Sequence, residues 1–318
     1  MNAFALSEFK SPTPLEPAPE SVVAFAYRER VWLKREDLNP LGVFKWRSTL
    51  PVARHLLDSG PTEIVTCSTG NHGAAVAWAC RELGAKANVF VPPNTVEAKM
   101  RRLEALRANV VVSGDDFDSA KENAERFAEE RDLPFFEDGA EPLQYEAYRS
   151  IGEEILDQAP RSLDTVVIPV GNGALAGGVG AAIGERDETV TRIGVVASAM
   201  PVMADSFDAG RPVAAPIGKT IADGLAVRVA ISLAVTHLRH AVDVMLRVSE
   251  REIASALVAY AEGGIEVEPS AAAALAALRQ RRNIREDGAS VLVVTGCNVD
   301  PQILERARRS PESFPAQA

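Results

Sequence analysis

Cysteine is scarce. The 318 residues contain three, Cys67, Cys80 and Cys297. They are scattered and form no CxxC pair, which excludes a disulfide framework. Histidine is nearly as rare, at four (His55, His72, His237 and His240). His237 and His240 have the i,i+3 spacing of a helix face, but no carboxylate or cysteine motif accompanies them, so a surface helix accounts for the pair. Positive charge is also short: the formal net charge is −10 and the pI about 5.1. That balance argues against nucleic acid or an anionic membrane as partner, since both require a basic face. No apolar run approaches the ~20 residues that span a bilayer. The segment Met1 to Glu8 lacks a basic region followed by an apolar core, so a signal peptide is not expected and a cytoplasmic location is. No repeat of 20–50 residues and no low-complexity segment is found.

What is present is a globular composition. Hydrophobic residues make up 47% of the chain, enough to bury a large core. The length suggests two domains or one large α/β unit. The first thirty residues are proline-rich and read as mostly extended. Val31 to Lys34 reads as a strand. Short apolar runs then alternate with helical patterns: strands over 64–67, 88–91, 110–112 and 135–136, and helices over 73–83, 96–107, 117–130 and 143–158. The 96–107 helix carries basic residues along one face. Further buried strands are expected over 165–170, 193–196, 242–248 and 291–295, and 271–278 reads as a helix packed in the core. This alternation predicts parallel sheets covered by helices.

Four segments carry chemistry. In Leu33-Lys34-Arg35-Glu36-Asp37-Leu38-Asn39-Pro40-Leu41-Gly42-Val43-Phe44-Lys45-Trp46, a strand runs through a turn into a helix opened by a lysine between two aromatics. An amine among apolar neighbours is disfavoured as a cation, and a neutral amine can attack an aldehyde. Cys67-Ser68-Thr69-Gly70-Asn71-His72-Gly73 lies between a strand and a helix. Hydroxyls, an amide and backbone N–H groups at a helix start suit an anion, although Ser, Thr and Asn equally serve as plain N-caps. Ile168-Pro169-Val170-Gly171-Asn172-Gly173-Ala174-Leu175-Ala176-Gly177 follows a buried strand and opens another helix. Its small residues would let backbone amides approach a phosphate. Its glycine spacing is wrong for a dinucleotide fingerprint, and no Walker lysine is present. Lastly, Val291 to Asn298 is a buried strand ending in Thr295-Gly296, where parallel sheets place ligands.

In order and spacing these segments resemble the fold-type II family of pyridoxal-phosphate (PLP) enzymes, in its serine/threonine dehydratase branch. The resemblance covers about Leu33 to Asp300 and includes Thr220-Ile221-Ala222-Asp223-Gly224-Leu225-Ala226-Val227 and Glu268-Pro269-Ser270. It implies an α/β fold of two open, twisted, mostly parallel sheet domains with helices on both faces and PLP in the cleft between them. The large cofactor-binding domain would comprise 1–50 and 139–318, and a small mobile domain 51–138. Lys45 would carry the cofactor as a Schiff base and later remove the substrate's α-proton. Gly171, Asn172, Gly173, Ala174 and Leu175 would hold the phosphate, Asn71 the ring oxygen, Phe44 the ring face, and Thr295 the pyridine nitrogen. Ser68, Thr69, Gly70 and Asn71, with His72 nearby, would bind the substrate carboxylate, and Thr69 could offer a hydroxyl opposite Lys45.

The implied reaction is α,β-elimination from a β-hydroxy or β-substituted amino acid, serine- or threonine-like, or a phenylserine or hydroxyaspartate. A hydroxyl at the pyridine nitrogen cannot hold it protonated as a carboxylate would, which favours elimination over transamination. Some features depart from the branch. Val43 stands where serine is usual, and Asn172 and Ala174 replace two glycines. The Ser68 and Gly171 segments, Thr295, and Glu146-Ala147-Tyr148-Arg149-Ser150-Ile151 are closer to threonine synthase. A replacement enzyme using Lys219 or Arg149 for a substrate phosphate, an amino-acid racemase, and a catalytically silent PLP-fold binding protein are therefore the alternatives. No acidic ligand follows Gly194-Val195, so no divalent cation is expected. Nor is feedback through a regulatory domain. The resemblance also implies a homodimer.

Overall fold

A computed structural model describes residues 11–27, 30–216, 218–281 and 288–316. Its elements run β1 (Leu15–Pro17), α1 (Glu20–Ala26), β2 (Val31–Arg35), α2 (Trp46–Leu57), β3 (Glu63–Cys67), α3 (Asn71–Glu82), β4 (Lys86–Val91), α4 (Glu97–Ala105), β5 (Asn109–Val112), α5 (Phe117–Glu130) and α6 (Pro142–Gln158). They continue with β6 (Leu163–Pro169), α7 (Ala174–Arg186), β7 (Thr191–Ala197), α8 (Val202–Ala209), α9 (Ser232–Ala241), β8 (Val244–Val248), α10 (Glu250–Glu262), α11 (Pro269–Gln280), β9 (Ala289–Val294) and α12 (Pro301–Arg309). The expected α/β alternation is present. The first thirty residues differ from the extended reading, because Glu20–Ala26 is helical, with Val22 and Ala26 buried. The expected strand at 135–136 reduces to a single bridge between Phe135 and Val65.

The chain divides into two compact units. The first includes Asn39–Leu41 and Lys45–Ala147. Its sheet is three parallel strands in the order β3-β4-β5. Helix α3 packs on β3 and β4, and α5 covers the same strands. Helix α5 presents Ala120, Ala124 and Ala128 to the core at a four-residue period. Asp116 caps its start in a capping box with Ser119.

The second unit includes Ser11–Leu38, Gly42–Phe44 and the chain from Tyr148 onward. Its sheet has six strands in the order β1-β2-β9-β6-β7-β8, all parallel except the edge strand β1. Strands β6 and β9 are buried at every position, so both faces of the sheet are covered there. Between β9 and β6 the strand order reverses, and crevices of this kind, at strand C-termini, hold ligands in open α/β sheets. Helix α11 is buried at all positions from Pro269 to Leu278. Its alanines let it lie close to its neighbours, and it touches β6, β7, β8, β9 and α10.

The Lys34-Arg35-Glu36-Asp37 run is structural. Lys34 is fully buried and spends its three donors on Thr13 O (2.8 Å), Glu154 Oε2 (2.6 Å) and Gln158 Oε1 (2.9 Å). Thr13 Oγ1 in turn donates to the buried Glu36 at 2.5 Å. Arg35 forks onto both oxygens of Asp37, at 2.8 and 2.7 Å. These pairs tie the 11–17 strap to β2 and α6. Removing one member leaves a charge in the interior, so Lys34→Met should lower unfolding stability by about 3–5 kcal/mol. Lys34→Met combined with Glu154→Leu should regain a large part of that loss in urea unfolding.

Candidate active site

In the second unit the segment before Lys45 is stitched to the end of β9. Val43 and Gly296 form an antiparallel bridge. Phe44 N–H donates to Thr295 O at 3.0 Å, and Cys297 N–H to Gly42 O at 2.9 Å. Gly42 has a φ of +62°, which favours glycine. Val43 is fully buried, so the residue standing in place of serine is a core side chain. The Phe44 ring lies 5.1 Å from that of Tyr148, tilted by 56°.

Thr295 is buried, and its hydroxyl lies 2.9 Å from Glu268 Oε1. Glu268 N–H donates to Gly296 O at 2.9 Å. The Glu-Pro-Ser segment is thus part of the strand-end site, a role not assigned from sequence. Thr295 has one proton and two lone pairs. An ionised Glu268 takes that proton and leaves the lone pairs to face elsewhere; a protonated Glu268 reverses the direction. The two residues are coupled through this one hydrogen bond.

The Gly171 loop leads into α7. Gly173 has a φ of +99°, whereas Asn172 and Ala174 have ordinary negative φ, which explains why they can replace glycines there. Asn172 Oδ1 accepts from Ala174 N–H at 3.0 Å. A Cβ on Gly171 would collide with Gly224 O. Gly224 N–H donates to Ser270 Oγ at 3.1 Å. The Thr220–Val227 segment and Ser270 therefore back the loop and fix its path. Leu175 and Ala176 lie in the first turn of α7, where helical N–H groups have no intrahelical acceptor. The result is a glycine cradle of outward donors at a helix N-terminus, suited to a phosphate.

In the first unit, α3 starts after Gly70 and no side chain caps it, so the plain N-cap account of Ser68, Thr69 and Asn71 does not hold. Ser68 Oγ instead accepts from Gly70 N–H at 3.2 Å. Gly73 permits a close turn, since a Cβ there would come 2.8 Å from Ser68 O. Asn71 Oδ1 accepts from Arg102 at 3.1 Å.

Lys45 is not surrounded by apolar groups alone. Its Nζ lies 2.6 Å from Asp138 Oδ2, and its side chain is 13% exposed. Gln144 Nε2 donates to Asp138 Oδ1 at 3.0 Å. His72 is buried, with Nδ1 3.4 Å from Asp138 Oδ1 and its ring edge-on to Phe136. Burial would raise the Asp138 pKa, but the neighbouring His72 and Lys45 and the hydrogen bonds from Lys45 and Gln144 outweigh it and hold the carboxyl well below the usual range. Burial lowers the His72 pKa against the opposing pull of Asp138. Asp138 was not singled out from sequence; the only signal was its place just past the short strand at 135–136.

Arg149, considered above for a substrate phosphate, donates from Nη1 to Glu185 at 2.9 Å and from Nη2 to the same carboxylate. Among the described residues no cluster of three or more His, Cys, Asp or Glu could hold a metal ion. No helix of the described residues is long and apolar enough to cross a membrane.

The first unit carries a lysine, and the second a glycine cradle at a helix start and a strand-end hydroxyl; each is a kind of group that pyridoxal phosphate needs, and in that chemical sense the residues present fit it. Residues 6–296 match the family model for pyridoxal-phosphate dependent enzymes, and the chain belongs to that family. The L-threonine ammonia-lyase of Geobacter sulfurreducens is 34% identical over 85% of this chain and 67% of its own. Among solved structures, the processed form of threonine deaminase isoform 2 from Solanum lycopersicum superposes with a TM-score of 0.85 at 28% identity, over 93% of this chain and 86% of that one. Maize serine racemase does so with a TM-score of 0.84 at 26% identity, over 95% and 92%. The chain is a PLP-dependent enzyme of fold type II.

Two expectations follow. Gly171→Ala should fold, by far-UV circular dichroism, yet emerge from gel filtration without PLP. Asp138, with its depressed folded pKa, contributes stability that is fully present above its unfolded pKa of ~3.9 and is lost as pH falls through the folded value. In urea unfolding the gap between the native protein and Asp138→Asn should therefore be constant from pH 5 to 7 and shrink below about pH 4.

Proposed function

We propose that this enzyme is an ammonia-lyase that eliminates water from a β-hydroxy amino acid of the threonine or serine type, giving a 2-oxo acid and ammonia. The observation that carries the proposal is the neutral hydroxyl of Thr295 at the end of β9, paired with Glu268. The relatedness to an L-threonine ammonia-lyase over most of the chain supports it.

PLP, once bound, withdraws electrons from the substrate's α-carbon and so makes its proton removable. The chain's residues do the rest. Lys45 anchors the cofactor, and the Gly171–Leu175 loop holds its phosphate. Phe44 packs beside the ring and Asn71 binds the ring oxygen. The N–H groups and hydroxyls of Ser68, Thr69, Gly70 and Asn71, with His72 behind them, receive the substrate carboxylate at the start of α3. Lys45 Nζ takes the α-proton, and Asp138 is placed to accept a hydrogen bond from the resulting ammonium. Lys45 Nζ hands that proton to the β-hydroxyl, which leaves as water as its C–O bond breaks. The enamine formed takes water back on hydrolysis, so the net change is amino acid to 2-oxo acid plus ammonia.

Domain closure by the 51–138 segment over substrate, a homodimer and a cytoplasmic location are parts of the same proposal and rest on the family resemblance. Racemisation is the second reading, favoured by the likeness to a serine racemase and by the Thr69 hydroxyl.

The test is a screen of serine, threonine, phenylserine and hydroxyaspartate for ammonia and oxo acid, run in D2O with recovery of substrate. Oxo acid at a rate well above any loss of optical purity is expected. Deuterium in racemised substrate without oxo acid would establish the second reading instead. Lys45→Ala should lose both the ~410 nm absorbance of bound cofactor and turnover.

A further inference from the structure

The basic face of the 96–107 helix has no part in the chemistry described so far, yet one of its residues enters the site. Arg102, in the last turn of α4, donates from Nη1 to Asn71 Oδ1 at 3.1 Å and from Nη2 to Leu41 O at 2.8 Å. The first contact is at the first residue of α3. The second lies four residues before Lys45, in a turn closed by Leu41 N–H donating to Asn39 Oδ1 at 3.0 Å. We infer that Arg102 is a positioning residue for the cofactor: it fixes the Asn71 amide so that Nδ2 faces the ring oxygen, and it ties the helix start carrying Asn71 to the turn that leads to Lys45.

The chemistry supports this assignment. A guanidinium only donates, so the atom of Asn71 that meets it must be the oxygen, and the amide cannot flip without losing the bond. Nδ2 then lies on the side of the amide away from Arg102. A cation on the amide oxygen also draws electrons through the amide and strengthens Nδ2 as a donor. Arginine suits the task because its planar fork reaches two acceptors at once, which a lysine ammonium does with less geometric control.

The inference rests on the reading of Asn71 as the partner of the ring oxygen, and the experiment separates the two. Holoenzyme is prepared for the native protein, Arg102→Met, Arg102→Lys, Asn71→Ala and the double variant Asn71→Ala/Arg102→Met. Two quantities are measured: the PLP dissociation constant, and the visible absorbance of bound cofactor against pH. Arg102→Met should bind PLP about tenfold more weakly, the scale of one charge-assisted hydrogen bond, and should shift the pH midpoint of the visible band. Arg102→Lys should recover part of both. The double variant should be little worse than Asn71→Ala alone, because the two residues act in series. If Asn71→Ala changes the band and Arg102→Met does not, or if the two losses add in full, the inference about Arg102 is wrong while the role of Asn71 stands. If Asn71→Ala leaves both quantities unchanged, the reading of Asn71 fails and takes the inference with it.

Discussion

The backbone pairing between residues 42–44 and 295–297 is the constraint on which the second unit's site depends. It sets Phe44 against the end of β9 through the bond from its N–H to Thr295 O. Because the bonds are between main-chain groups, they fix position whatever the side chains, and they free those side chains for other work. Val43 fills core space, Phe44 packs on Tyr148, and Gly42 and Gly296 allow the two segments to approach. Glu268 joins the same arrangement by accepting from Thr295 and donating to Gly296 O.

Charge is handled differently around Lys34 and around Asp138. Around Lys34 every donor is matched, and the network ties strap, strand and helix together. Around Asp138 the carboxylate gathers Lys45, Gln144 and His72. The first arrangement has a single stable pairing. In the second, the lysine is the residue proposed to carry the cofactor, so one partner would also be a reagent.

Much of this was legible in the sequence, because parallel strands buried on both faces read as apolar runs and their ends carry the functional motifs. Lys45, the Gly171 loop and Thr295 stand out through position relative to those runs. The helix Glu20–Ala26 was not legible, because seven residues among prolines give too short a period to register. Asp138 and Arg102 were hidden for another reason. Each acts through a partner more than thirty residues away in the chain, and nothing local marks a carboxylate or guanidinium as the one that a fold will bring to Lys45 or Asn71. The glycine replacements at 172 and 174 became intelligible only with the dihedral angles, since Gly173 alone needs a positive φ.

Helix α11 begins at Pro269, directly after Glu268, and Ser270 within it supports Gly224 and hence the Gly171 loop. From Pro269 to Leu278 the same helix is buried, and alanine is its commonest residue. The support beneath the Gly171 loop is therefore continuous with the protein's interior, so packing there and the shape of the loop are set together. Loosening α11 would shift Ser270, and with it Gly224 and the path of the Gly171 loop.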